Sequence, residues 1–155
     1  MRRTEGRWLL AAAMAAALIV GTPAEACTVS ATGVMFGAYD PRAASPDDGT
    51  GAIDISCHPR DQSVNIALST GSSGSFSARR MSSGAAQLDY NLYTATSRTI
   101  VWGDGSGGTS TVTLTEGNVS GGRRRFSADI FGRIPALQNV PAGSYVDTIV
   151  VTVTF

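Results

Sequence analysis

The sequence predicts an all-β protein, and two features of the chain carry that prediction. Short runs in which apolar and polar residues alternate recur along the chain, and they are separated by stretches rich in turn-forming residues, with 18 glycines and 6 prolines in all. Beyond residue 26, no stretch keeps apolar residues at the 3.6-residue spacing of an amphipathic helix. Short strands between glycine-rich turns are typical of a β-sandwich or β-barrel that forms one domain.

Each predicted strand rests on its own alternation. In "AIDISC", Ile53 and Ile55 alternate with polar residues, and "SVNIALST" and "STVTLT" repeat the pattern. Turn chemistry such as "DDG" and "GSSGS" separates the runs. The predicted strands are residues 27–37, 52–57, 63–70, 88–94, 99–102, 110–115, 126–134 and 145–155.

The first 26 residues read as a secretory signal peptide. Three arginines precede an apolar run at residues 8–20, and the small-residue cleavage pattern "AEA" ends at Ala26. We expect cleavage there, which leaves one domain at residues 27–155. A membrane-spanning helix needs about 20 apolar residues, so we expect no transmembrane segment after cleavage. An uncleaved membrane anchor is the alternative.

The charge balance argues against one class of partner. The formal net charge of the chain is +0, and all of its 12 basic residues are arginines. A protein that binds nucleic acid needs a basic surface to neutralise phosphates. We therefore expect no nucleic-acid partner.

The two cysteines, Cys27 and Cys57, predict one disulfide. An exported chain with a single possible pair most simply oxidises it. The alternative is a metal-binding or catalytic thiol, which would need further ligands or a base. The single histidine, His58, is the only nearby candidate for that role.

The sequence carries no constellation typical of an enzyme. "GDGSGG" at residues 103–108 is similar to a serine-protease motif, but Gly105 breaks the match and a triad needs a histidine base. A glycine-rich hairpin loop is the preferred interpretation, and a lone calcium-binding turn is the alternative. We expect no catalytic residue, no metal and no cofactor.

Two further groups of residues are interpreted as structural. The arginines at 79–80 and 123–125 are interpreted as solvated turns, with contact to an anionic surface as the alternative. Trp102, Tyr90 and Tyr93 are interpreted as core residues, with a sugar-stacking platform as the alternative.

Several motifs, in order, resemble the spore coat protein U family, which includes subunits of archaic chaperone–usher pili. The motifs are "FGAYDP" at 36–41, "WGDG" at 102–105 and the block "GRIPALQNVPAGSYVDTIVVTVTF" at 132–155. The resemblance implies an immunoglobulin-like sandwich that lacks its last strand. It also implies a structural surface protein, exported through the periplasm, whose partners are a periplasmic chaperone, an outer-membrane usher and other pilus or coat subunits.

Strand addition would then take place beside the terminal predicted strand. Its alternation places four apolar residues on one face, and this face is the predicted contact for a chaperone or a donated strand: Ile149, Val151, Val153 and Phe155. By the same resemblance, pilins of this family that polymerise usually carry a donor strand before the first cysteine, and none is visible between the predicted cleavage site and Cys27. The sequence therefore favours an accepting, terminal subunit over the major repeating one. The alternative is a binding module, a stand-alone or tip adhesin, for a surface or a glycan.

Overall fold

The computed structural model describes residues 27–155, and the predicted signal peptide lies outside the described residues. The described chain is all-β, apart from one short 3₁₀ turn at Gly71–Ser73. The strands are β1 (Thr28–Met35), β2 (Asp47–Cys57), β3 (Ser63–Leu68), β4 (Arg79–Ser83), β5 (Ala86–Tyr93), β6 (Val112–Thr115), β7 (Asn118–Ser120), β8 (Arg123–Ile134) and β9 (Val151–Thr154).

The strands form two antiparallel sheets that face each other. The larger sheet has the order β1-β2-β8-β5-β4, and β7 also pairs with β8. The smaller sheet has the order β6-β3-β9. This sandwich-like architecture confirms the predicted fold class. Within residues 27–155, no helix has the length and apolar character that a bilayer crossing needs.

The core lies between the sheets because alternate residues of each strand point inward. In β2, Ile53 and Ile55 are buried while Asp54 between them is exposed. The partner strand β8 follows the same period from Arg125 to Ile134. The most completely buried apolar side chains come from both sheets and one loop: Ile53, Ile55, Val64, Ile66, Leu68, Trp102 and Ile134.

The predicted strands at 99–102 and 145–155 differ from the observed structure. Residues 101 and 102 form isolated bridges only, while the indole N–H of Trp102 donates to the carbonyl of Ile66 at 3.0 Å. Near the end of the chain, Val146 bridges to Ser82 of β4 in the larger sheet. The segment then crosses to the smaller sheet, and β9 starts only at Val151.

The disulfide prediction is confirmed. Cys27 and Cys57 are bonded, which joins the start of β1 to the end of β2 across 30 residues of sequence. In the chain-entropy view, a loop of this length is worth about 3–4 kcal/mol. An Asp61 oxygen lies near both sulfurs, but sulfurs bonded to each other supply no thiolate for a metal.

The interpretation of the arginine runs as solvated turns is wrong, because all five arginines lie in strands β4 and β8 and only Arg80 and Arg125 are exposed. Arg79 lies in β4 and is completely buried, whereas Arg80 is exposed and pairs with Asp89 at 2.8 Å. Arg123 and Arg124 lie in β8, half-buried, and donate to the carbonyls of residues 56 and 59. These guanidinium groups therefore tie strands and loops together, because their N–H groups donate hydrogen bonds to main-chain carbonyls.

Candidate functional site

One side of the sandwich is uncovered at β1. The register pairs Val29 with Ile55 and Ala31 with Ile53, so these four side chains point to the same face of the larger sheet. Ile55 is 2% exposed, yet its partner Val29 is 41% exposed. Within residues 27–155, no opposing strand therefore lies above the inward face of β1.

The opposite wall of this opening is β9 with the segment before it. Val153 pairs with Ile66 and Val151 with Leu68, which places both valines on the core face. Together with Ile149, they are partly buried against the core.

The fourth residue of the predicted contact face lies elsewhere. Phe155 is 60% exposed and lies beyond the end of β9. The structure therefore brings Ile149, Val151 and Val153 to the core face and leaves Phe155 outside it.

A groove runs between these two walls. Its central part is a cavity of about 300 Å³ that is open to solvent. Side chains of β4, β5 and β8 form its floor, while β1 and the segment 145–151 form its sides. The floor residues are Met81, Tyr90, Leu92 and Ile130.

The groove continues into a second cavity of about 610 Å³. This part lies between residues 36–41 and residues 140–145, so the "FGAYDP" and "VPAGSY" segments face each other across it. Four side chains line both cavities and mark the boundary between them: Val34, Phe36, Met81 and Tyr145.

Both walls present free strand edges. Among the described residues, β1 pairs with β2 alone and β9 with β3 alone. Each strand therefore has one row of backbone N–H and C=O groups that no other strand satisfies. An apolar groove between two such edges is the geometry that an added strand fills.

Glycines in the larger sheet shape the boundary between the cavities. A Cβ added at Gly132 would lie 2.6 Å from Phe36 Cζ, and one at Gly49 would lie 2.9 Å from Val34 Cγ1. The β1 ladder is irregular between Thr32 and Met35, so the chain turns these side chains inward. Phe36 then packs edge-on against Tyr90, with ring centroids 6.1 Å apart.

Among the described residues that line the groove, Asp147 supplies the carboxylate, and both of its oxygens accept hydrogen bonds. Asp147 accepts hydrogen bonds from the Tyr90 hydroxyl at 2.6 Å and from the amides of Ser72 at 2.9 Å and Thr148 at 2.8 Å. Burial raises the pKa of Asp147, but these hydrogen bonds lower it, and the net direction is downward. Burial, and then the Asp147 contact, raise the pKa of Tyr90. Asp147 is therefore ionised and Tyr90 neutral at neutral pH.

The other candidate residues do not assemble a chemical site. Trp102 and Tyr90 are buried and Tyr93 is half-buried, so the core interpretation holds for the first two. In the "GDGSGG" loop, Asp104 accepts hydrogen bonds from its own neighbour Ser106. His58 Nδ1 accepts from the Arg60 amide in a local turn.

Sequence reasoning missed part of the groove. It identified β9 but treated "FGAYDP" only as a family marker, and it assigned no role to Gly49 or Gly132. For Gly132 the signal was present, because a glycine inside an otherwise alternating strand indicates a close approach of another segment. Gly49 belongs to the "DDG" stretch, which was predicted to be a turn but lies in β2.

Two comparisons of the sequence with known proteins identify its family. The family model for the Spore Coat Protein U domain matches residues 12–152. Protein U from Myxococcus xanthus is 32% identical, and the alignment covers 91% of this chain and 93% of that protein.

A solved structure has the same fold. It is a chain from the crystal structure of the CsuC-CsuE chaperone-tip adhesion subunit pre-assembly complex from archaic chaperone-usher Csu pili of Acinetobacter baumannii, and it matches with a TM-score of 0.57 and 21% identity. The match covers 84% of this chain and spans only 40% of that chain.

Proposed function

The chain belongs to the Spore Coat Protein U domain family, and from this premise we propose that it is a subunit of a surface pilus or coat assembled by the chaperone–usher route. The family is one of structural proteins rather than enzymes. In the proposed role, the groove between β1 and β9 accepts a strand from a chaperone and later from another subunit.

The uncovered inward face of β1 is the observation that carries this proposal. An apolar side chain gains about 1.5–3 kcal/mol when it passes from full exposure to full burial, and covering the 41% of Val29 that is exposed gains part of that amount. Summed over Val29 and the partly buried Ile149, Val151 and Val153, such partial gains are a sizeable share of the roughly 5–15 kcal/mol that stabilises a typical domain. A strand from another chain would cover them and would pair with the two free edges at the same time.

The comparisons support the choice of partner. The structurally similar chain comes from a pre-assembly complex of a chaperone with a tip adhesion subunit of archaic chaperone-usher pili. The proposed partners of this chain are accordingly a periplasmic chaperone, an outer-membrane usher and other subunits. The proposed route is export after removal of residues 1–26, passage through the periplasm and assembly on the cell surface.

A finer proposal concerns the position of the subunit in the assembly. If cleavage occurs after Ala26, the mature chain starts at Cys27 and carries no donor segment before its first disulfide-bonded cysteine. The subunit would then accept a strand without giving one, as a terminal subunit does. N-terminal sequencing of exported protein checks this, since a start upstream of Cys27 would restore a possible donor segment. The pure protein should also give no ladder of multimers on an unboiled gel.

Chaperone co-expression with a matched pair of variants tests the accepting role. Ala31→Asp places a charge on an inward-facing, exposed position that lines the empty groove and would be covered in the filled one. Thr28→Asp places the same charge on the opposite, exposed face of β1, across from the neutral Ser56. We expect wild type and Thr28→Asp to form a soluble one-to-one complex with the cognate chaperone and Ala31→Asp to lose it. Equal complex formation by all three proteins, or a stable wild-type monomer that ignores the chaperone, would contradict the proposal.

One observation favours a second role that is compatible with the first. The structurally similar complex contains a tip adhesion subunit, which matches the alternative of an adhesive binding module. Surface binding by the purified chaperone-released subunit, with no assembly into fibres or coats in vivo, would favour adhesion as the main role.

A further inference from the structure

The groove wall formed by residues 146–154 lacks the packing that normally fixes the register of a strand. β9 is four residues long, and its inward valines are only half-buried because no segment of the described chain covers the groove. Register in a sheet is set mainly by the burial of one face. While the groove is empty, other contacts must therefore hold this wall in register.

The first such contacts are the hydrogen bonds of the Asp147 carboxylate. Its Oδ2 accepts from the hydroxyl of Tyr90, which is buried in the larger sheet, at 2.6 Å. Its Oδ1 accepts from the amide of Ser72, in the turn that follows β3, at 2.9 Å. This side chain thus ties the crossing segment to the larger sheet and to the turn that follows β3. The preceding residue, Val146, pairs with Ser82 of β4.

The second set of contacts is made by Ser69, which follows β3 directly. Its hydroxyl accepts from the Val150 amide at 2.9 Å, and its own amide donates to the Val150 carbonyl at 3.0 Å. On the other side, the Ser69 carbonyl accepts from Arg79 Nη2 at 2.7 Å and from Nε at 3.1 Å.

Arg79 makes this second attachment rigid. It is completely buried, and it also donates to the Trp102 carbonyl at 2.8 Å and to Asn91 Oδ1 at 2.9 Å. A buried cation held by several neutral acceptors has no freedom to leave them, because an unsatisfied buried charge is very costly. Arg79 therefore holds Ser69 in place, and Ser69 in turn holds Val150 through two hydrogen bonds.

We propose that Asp147 and Ser69 are positioning residues that hold the groove wall in register while the groove is empty, and so speed the capture of a strand. The proposal rests on the strand-accepting function proposed above. Once a strand fills the groove, burial of the inward valines holds the register by itself. The two residues should therefore affect the rate of strand association far more than the rate of dissociation.

Stopped-flow binding tests this with the exported chain, refolded with its disulfide intact. The probe is a fluorescein-labelled peptide of about ten residues in which valine and threonine alternate. We expect Asp147→Asn and Ser69→Ala each to slow association about fivefold, the factor that corresponds to one hydrogen bond of about 1 kcal/mol. Dissociation should stay within about twofold. The controls Asp129→Asn and Ser127→Ala, on the exposed face of β8, should match wild type.

The outcomes separate the two proposals. Failure of the wild-type chain to bind the peptide would count against strand acceptance itself. Binding by wild type with unchanged association in Asp147→Asn and Ser69→Ala would overturn the positioning role. Faster dissociation at an unchanged association rate would overturn it too, since it would show general stabilisation only. If Asp147→Asn does not refold, Ser69→Ala decides the question, because it removes a single hydroxyl.

Discussion

The two strands that flank β2 show how one alternating pattern leads to two different environments. On the β8 side, the alternate residues Phe126, Ala128 and Ile130 are all buried. On the β1 side, Val29 and Ala31 point to the same face but are exposed, because no strand of the smaller sheet lies above them. Apolar periodicity thus specifies which face turns inward, but it does not specify whether the same chain supplies the cover.

This difference predicts mutational effects of very different size at two paired positions. Ile55→Ala removes packing in a closed core and should lower the free energy of unfolding of the isolated chain by about 2–5 kcal/mol. Val29→Ala, directly opposite in the register, should change it by no more than about 0.5 kcal/mol. Denaturant titration of both variants measures the difference. A cost at Val29 as large as that at Ile55 would mean that the isolated chain covers β1 by itself.

The disulfide should matter because β1 is held on one side only. Cys27→Ser combined with Cys57→Ser removes the link between β1 and the closed part of the molecule. We expect a loss of about 3–4 kcal/mol in the free energy of unfolding. The free energy of unfolding of wild type and of the double variant is measured under oxidising and then under reducing conditions. Reduction should destabilise wild type and leave the double variant unchanged.

A glycine pair sharpens the comparison at the boundary of the two cavities. Gly132→Ala would push its Cβ against the rings and methyl groups of Phe36 and Val34, and we expect a cost of about 1–3 kcal/mol. Gly33→Ala, in the open strand β1, meets nothing within 4 Å and serves as the control. Thermal unfolding of both variants tests this. Equal melting temperatures would show that residues 34–36 do not rest on the glycines.

The smallest expected effect is the acid dependence of the groove wall. The folded-state pKa of Asp147 lies below its ordinary value, so its hydrogen bonds stabilise the fold at neutral pH. This stabilisation begins to fade below the ordinary value of 3.8 and is lost as the pH falls through the folded-state pKa. Asp147→Asn should therefore lose less stability than wild type between neutral pH and pH 3. Parallel stability curves for the two proteins would contradict this.

The sequence supported the fold class and most strands, since residues such as Ile53, Val64 and Ile66 alternate cleanly. It missed β4, where Arg79 is an inward-facing residue. The usual expectation for arginine is exposure, and only the arrangement of distant carbonyl groups, which the linear sequence does not display, makes its burial tolerable. The groove was anticipated from β9 alone. Predicting its other wall requires knowing that β1 pairs with β2 on one edge and, among the strands of residues 27–155, with none on the other.

Hydrogen exchange tests the central claim most directly, namely that the groove between β1 and β9 takes up a strand from a partner. Amide protection would be compared between the refolded chain and its one-to-one complex with the cognate chaperone. The account predicts new protection in β1 and β9, whose outer edges are free in the described chain, while β2 and β8 stay equally protected in both states. Binding that leaves β1 and β9 unchanged and protects other strands would contradict it.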